Sequence, residues 1–315
     1  MEQGQREHHP QVLLLGNGIN LAFGGRSWSG LLKSLSTRTD LPEELSCPMP
    51  MQAIIYTENK LKDAMKGKRN ELFGSVETPE QMAFLQQLLG LPADEIITTN
   101  YSYELEAAAL DRFRIGEAQL KTLLRHSPKL NRAEPKYLIQ TYNQVGTDHR
   151  VARIWHAHGE ARKPDSMIIG HYYYAKLLGR MIQYIDSRSQ EHQRRARSGL
   201  AQEIGSWTEA FLFGDVYILG FGFDISEFDL WWLLNRKKRE IAPHGKTYLF
   251  EMRDRGFSER KDLLRLLDVE LVDFGMEKPS ANDLGCCARY EAFYKRAVAE
   301  MKRMIGNHTE ERAYV

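Results

Sequence analysis

The chain predicts an α/β fold: a Rossmann-like, six-stranded and mostly parallel sheet carrying helical insertions. Three observations predict it. Short apolar or β-branched runs recur along the sequence with helical patterns between them, as βαβ units require. The first run, Val12 to Leu15, leads into Gly16 and Gly18, a strand-to-helix turn of the kind that doubly wound sheets keep near their N-terminus. Two later runs end near Asn100 and His158, polar side chains at the strand edge where open α/β sheets bind ligands.

Taken in order, strands are expected at Gln11 to Gly16, Glu95 to Asn100, Arg153 to Gly159, Asp215 to Gly220, Lys246 to Met252 and Val269 to Phe274. Residues 41–90 hold two helical patterns, Met51 to Met65 and Glu80 to Leu89, which read as an insertion or cap. A second helical insertion occupies residues 165–213. The whole of 1–315 then forms one domain, with a polar tail from Asn307 expected to fray. At 315 residues, 42% hydrophobic and 27% charged, the chain can bury a large core.

The formal net charge of +1 gives no global field to recruit nucleic acid or an anionic membrane. The basic runs Arg194 to Arg197 and Arg236 to Arg239 lack aromatic interleaving and read as solvated or inter-subunit faces. Three cysteines, Cys47, Cys286 and Cys287, give no disulfide framework and point to a reducing, cytoplasmic setting. The longest apolar stretch, Ala210 to Phe223, is broken by Asp215 and glycines, so no membrane span is expected.

Several residues are candidates for chemistry. Gly16, Asn17, Gly18 and Asn20 form a turn whose helix would aim free amides at an anion. Phe23 precedes Gly24, so the third glycine of the dinucleotide fingerprint is missing, and a tight turn without a ligand is the alternative. Asn100 can donate and accept at once, or simply cap the following helix. His158 can act as a base or orient a water, or lie buried with both nitrogens satisfied. Two residues earlier, His156 raises a His-x-His metal pair, with Glu160 as an extra ligand. In Gly220-Phe-Gly-Phe-Asp-Ile-Ser226, Phe221 or Phe223 suits an adenine ring, and Asp224 suits a ribose hydroxyl or a helix cap.

Four segments in order resemble the sirtuin-like family, in particular its zinc-free NAD hydrolases of bacterial antiviral defence. Gly16-Asn-Gly-Ile-Asn20 looks like the family's Gly-Ala-Gly-Ile-Ser turn, and Gly25-Arg-Ser-Trp-Ser-Gly-Leu-Leu32 like the segment after it. Thr98-Thr-Asn-Tyr101 is similar to Thr-x-Asn-Tyr/Ile-Asp, with Ser102 where aspartate is usual. His158-Gly159 and Gly220-Phe-Gly222 look like the later His-Gly and Gly-x-Ser. No cysteine lies between residues 158 and 220, so the four-cysteine zinc module of deacylating sirtuins is absent. Their Pro-Asp-Phe-Arg is replaced by Arg26-Ser-Trp-Ser29.

The resemblance implies an NAD glycohydrolase that releases nicotinamide and ADP-ribose, with NAD as substrate and no metal. It implies Asn100 and His158 as catalytic residues, and Gly16, Asn17, Gly18, Asn20, Trp28, Tyr101, Tyr172, Gly220, Phe221, Gly222 and Asp224 around the dinucleotide. It also implies an abortive-infection effector, regulated by homo-oligomerisation or by a partner ATPase or nucleic-acid-binding sensor. A metal-dependent hydrolase built on His156 and His158, and a catalytically silent nucleotide sensor or scaffold, remain the alternatives.

Overall fold

A computed structural model describes residues 9–25, 27–36, 38–42, 45–68, 74–126, 136–146, 151–280 and 285–313. Eight strands form one sheet: β1 (Gln11–Leu15), β2 (Glu95–Thr98), β3 (Leu124–His126), β4 (Tyr142–Gly146), β5 (Val151–His156), β6 (Asp215–Leu219), β7 (Thr247–Phe250) and β8 (Val269–Val272). Their spatial order is β3-β4-β5-β2-β1-β6-β7-β8. From β5 to β8 every neighbouring pair is parallel. Counted by appearance, those six strands run third, second, first, fourth, fifth, sixth, which is the Rossmann arrangement. All six expected strands are present.

The sheet is nonetheless larger than expected. Strands β3 and β4 add an antiparallel edge beside β5. Strand β4 reads Tyr-Asn-Gln-Val-Gly, and its inward positions are Asn143 and Val145. Asn143 is buried because its amide donates to Glu106 Oε1 at 2.8 Å. A polar residue in a core position hid the alternation that marks a strand.

Strand β1 is buried throughout because helices cover both faces. Leu13 and Leu15 enter one core cluster, Val12 and Leu14 the other, following the two-residue period of a strand. Each such side chain contributes about 1.5–3 kcal/mol relative to exposure. The 41–90 insertion has three helices, Met49–Thr57, Leu61–Gly67 and Pro79–Leu89. The single helix expected from Met51 to Met65 is broken at Glu58 and Asn59, whose φ values are 49° and 64°.

The second insertion is the long helix His171–Arg197 followed by Trp207–Phe213. A buried carboxylate ties them together. Glu209 accepts from His192 at 2.8 Å, Arg188 at 2.9 Å and the Tyr184 hydroxyl at 3.1 Å. Burial would raise its pKa, but these donors hold it below the ordinary carboxylate range. At the C-terminus the helix Cys286–Ala313 continues through most of the stretch expected to fray, and residues 314–315 lie outside those described. No helix among the described residues is long and apolar enough to cross a membrane.

Candidate active site

Strands β1 and β6 meet where the strand order reverses, and glycines make that meeting possible. The Gly16 amide donates to Leu219 O at 2.9 Å and the Gly18 amide to Gly220 O at 2.8 Å. A Cβ on Gly16 would lie 2.4 Å from Gly220 O. One on Gly220, at φ +69°, would lie 2.7 Å from the Ile19 nitrogen. The turn therefore needs glycine to join two strands. Its amides are spent on that join, and the helix behind it, Gly18–Leu21, has only four residues. The expected cradle of free amides at Gly16 and Gly18 is not what this turn provides. Asn17 and Asn20 instead bring side chains to the cleft wall, with Asn20 steadied by Gln81 Nε2 at 3.2 Å. Gly222 contrasts with Gly220: a Cβ there would meet nothing within 4 Å, and the residue faces the cleft.

Beyond β2, Asn100 is held by its backbone. Its amide donates to Thr98 Oγ1 at 3.1 Å, and its carbonyl accepts from His156 Nδ1 at 2.8 Å. The side-chain amide lines the cleft and has no hydrogen-bond partner among the described residues. The capping role does not apply, because the next helix, Glu104–Ala109, has Tyr103 at its cap position. Tyr101 packs its ring 5.6 Å from that of Trp28 and donates its hydroxyl to Ile168 O at 2.8 Å. Trp28 and Tyr101 both line the cleft, whereas Arg26 of the same motif lies outside the described residues.

The two histidines part company. Strand β5 ends at His156, and after the turn through Ala157 the two rings meet partners from different core clusters, His156 with Tyr103 and His158 with Tyr174. His156 bonds Asn100 O through Nδ1 and Glu106 Oε1 through Nε2 at 2.9 Å. With both nitrogens engaged it has no lone pair for a metal, so the His-x-His pair does not form. Burial would lower its pKa, but the Glu106 charge and hydrogen bond raise it to about 8. Glu160, the proposed extra ligand, accepts from the Tyr103 hydroxyl at 2.9 Å on the His156 side.

His158 meets a different set of partners. Its Nε2 is 2.8 Å from Asp229 Oδ2 and 3.8 Å from Glu227 Oε2. Tyr174 stands edge-on to the ring at 5.4 Å and donates its hydroxyl to Glu227 at 3.0 Å. Burial would lower the His158 pKa, but Asp229 and then Glu227 raise it to about 9. At neutral pH the ring is an imidazolium, which donates from both nitrogens rather than acting as a base. Burial pushes the Glu227 carboxyl up, opposed by the His158 charge. Gly159 follows at φ +89°, where a Cβ would lie 2.3 Å from Ser166 O. Glycine is required for the chain to leave the site.

Asn17, Asn20, Trp28, Asn100, Tyr101, His158, Tyr174, Gly222 and Glu227 open onto one cleft of about 1440 Å³, whereas His156 and Glu160 do not reach it. It runs from His158 past β2, β1 and β6 to Glu251 beyond β7. Four strand spacings span roughly 19 Å, long enough for both halves of a dinucleotide across the switch point. Phe221 and Phe223 both line it, edge-on to each other at 4.8 Å. Asp224 also reaches the cleft, but its carboxylate accepts from the Ser226 amide at 2.9 Å in a local turn instead of capping the helix Phe228–Lys238. Tyr172 lies outside the cleft wall and is 68% exposed; Tyr174, two residues on, takes the inward place.

Sequence reasoning missed Tyr174, Glu227, Asp229 and Glu104. Tyr174, Glu227 and Asp229 reach the site on or at the cap of helices that tertiary packing brings up, with no strand-end signal, while Glu104 opens the helix after β2. Their only local trace is the pair of carboxylates two apart in Glu227-Phe-Asp229. Among the described residues, His158, Glu227 and Asp229 are the one His/Cys/Asp/Glu group with donor atoms within 4.8 Å of one another. In this arrangement the His158 Nε2 bonds Asp229 Oδ2 at 2.8 Å. No model of a known protein family matches the chain, and no curated protein matches it either.

Proposed function

We propose that the protein is an NAD glycohydrolase, cleaving NAD to nicotinamide and ADP-ribose. The observation that carries this reading is the unpartnered Asn100 amide, which shares one cleft with His158 and the Gly220–Asp224 segment across the switch point. The chemistry is modest in what it asks. Nicotinamide leaves as a neutral group, so no acid has to protonate it, and the ribosyl carbon passes through an oxocarbenium-like state. Asn100 holds a ribose hydroxyl or the attacking water in place. His158, fixed by Asp229, donates from Nδ1 to the bound ribose, and the carboxylates behind it keep the site from repelling a cationic substrate.

The reading needs no metal, and a stoichiometric transition metal in the purified protein would count against it. The test is incubation with NAD and chromatography of the products. Nicotinamide and ADP-ribose in equal amounts are expected. Saturable NAD binding without products would make the protein the silent sensor instead.

The finer reading is a regulated antiviral effector, since unchecked NAD loss would deplete its own cell. Exposed apolar residues beside the cleft support a contact surface there: Tyr172 at 68%, Ile225 at 73% and Phe228 at 45% exposure. The helix Phe228–Lys238 contributes less to such a surface, because Trp231 and Trp232 are both half-buried against the protein's own core. Assembly through copies of itself, or through an ATPase or nucleic-acid-binding partner, would then complete or unmask the site. A monomer that hydrolyses NAD at full rate alone, by sedimentation and assay, would refute regulation by assembly.

A further inference from the structure

One acidic side chain on the cleft wall has no part in the roles above. Glu104 opens the helix Glu104–Ala109, four residues after Asn100, and lines the same cleft. The Ser102 hydroxyl donates to its Oε2 at 2.6 Å. No other side chain among the described residues bonds it. The backbone of Gly74 passes so close that a Cβ there would lie 2.5 Å from Oε1. The carboxylate is thus oriented by a serine, roofed by a glycine and open to the cleft.

Water attacking the ribosyl carbon must lose a proton, and His158 is poorly placed to take it. Its Nε2 is committed to Asp229 at 2.8 Å. Asn100 has no basic atom. From this geometry we infer that Glu104 is the general base of the site, accepting the proton of the water that attacks C1′ of the nicotinamide ribose. This assignment rests on the NAD glycohydrolase reading. The water oxygen forms the new bond to C1′ as the C1′–N1 bond breaks, and that electron pair neutralises the pyridinium. The proton passes to Glu104 and then to solvent, so NAD and water give nicotinamide, ADP-ribose and one proton.

The electrostatics suit the task. Burial pushes the Glu104 carboxyl up to about 7; the Ser102 hydrogen bond lowers it, Glu106 adds to the rise and His156 opposes it. A base titrating near the working pH is the efficient choice.

The test is steady-state NAD hydrolysis by the full chain as wild type, Glu104→Gln and Asn100→Ala across pH 5.5–9. Glu104→Gln is expected to lower kcat by about 100-fold or more with little change in KM, and to lose the acid limb near pH 7. Formate is expected to restore turnover to Glu104→Ala. A purely structural role would leave the pH profile intact and give no rescue. Wild-type turnover, lost in Asn100→Ala but unchanged in rate and pH profile in Glu104→Gln, removes the base assignment alone. Absence of NAD turnover by the wild type removes the parent reading and this one with it.

Discussion

Asn100→Ala removes an amide that no other group in the described protein uses, so its cost falls on the reaction. Stability is expected within about 0.5 kcal/mol of wild type, while NAD cleavage falls by about 100-fold or more. His156→Ala should behave in the opposite way. It strips a buried partner from Glu106 and a donor from the Asn100 carbonyl, at a stability cost of roughly 3 kcal/mol, with a smaller loss of turnover. Thermal unfolding and NAD kinetics on the same samples check both. The glycines make a second pair. Gly222→Val fills open cleft space and should abolish NAD binding with an unchanged melting temperature. Gly220→Ala forces a Cβ into the Ile19 backbone at positive φ and should lower the melting temperature first. Calorimetry with an NAD titration separates them, and a Gly222→Val protein that binds NAD normally would remove Gly222 from the site.

The elements that position His158 are the turn after β5 and the helix Phe228–Lys238, joined by its pair with Asp229. The histidine pKa is raised from 6.5 to about 9 on folding. The folded protein therefore binds a proton more tightly than the unfolded chain. The pair's stabilisation is fully present below pH 6.5 and is lost as pH rises through about 9. His158→Gln should consequently be less stable than wild type at pH 6, by roughly 3 kcal/mol at about 1.4 kcal/mol per pKa unit. The gap should narrow by pH 10. Chemical denaturation at the two pH values measures it, and a constant gap would mean that His158 is not charged in the fold. Nothing near His158 in the chain announces this pairing. Asn100 and His158 were legible because a strand end is a local feature, readable from a β-branched run that stops. Asp229, Glu227 and Tyr174 were not, since they arrive from helices whose packing angle no local pattern encodes.

At the scale of the molecule, the parallel strands were legible because burial on both faces makes them continuous apolar runs, as in Val12 to Leu15. The antiparallel edge was not, because Asn143 occupies a core position for the sake of Glu106. The glycine turn at Gly16 was located correctly, yet its physical purpose is to let β1 lie against the Gly220 backbone. The same join sets the switch point over which the cleft opens, so fold and site share one constraint. The sheet order sets Asn100 and His158 beyond neighbouring strands, β2 and β5, at one end of the cleft, with Gly222 and Glu251 toward the other.

With that layout, the proposed activity comes down to one bond, the C1′–N1 bond of NAD. The most direct measurement is nicotinamide release from NAD by the wild-type protein beside Asn100→Ala, with NAD binding confirmed for both by calorimetry. Release by the wild type in equal amount to ADP-ribose is expected, and none above background from a variant that still folds and binds. Equal release from both proteins, or binding without release by the wild type, would contradict it.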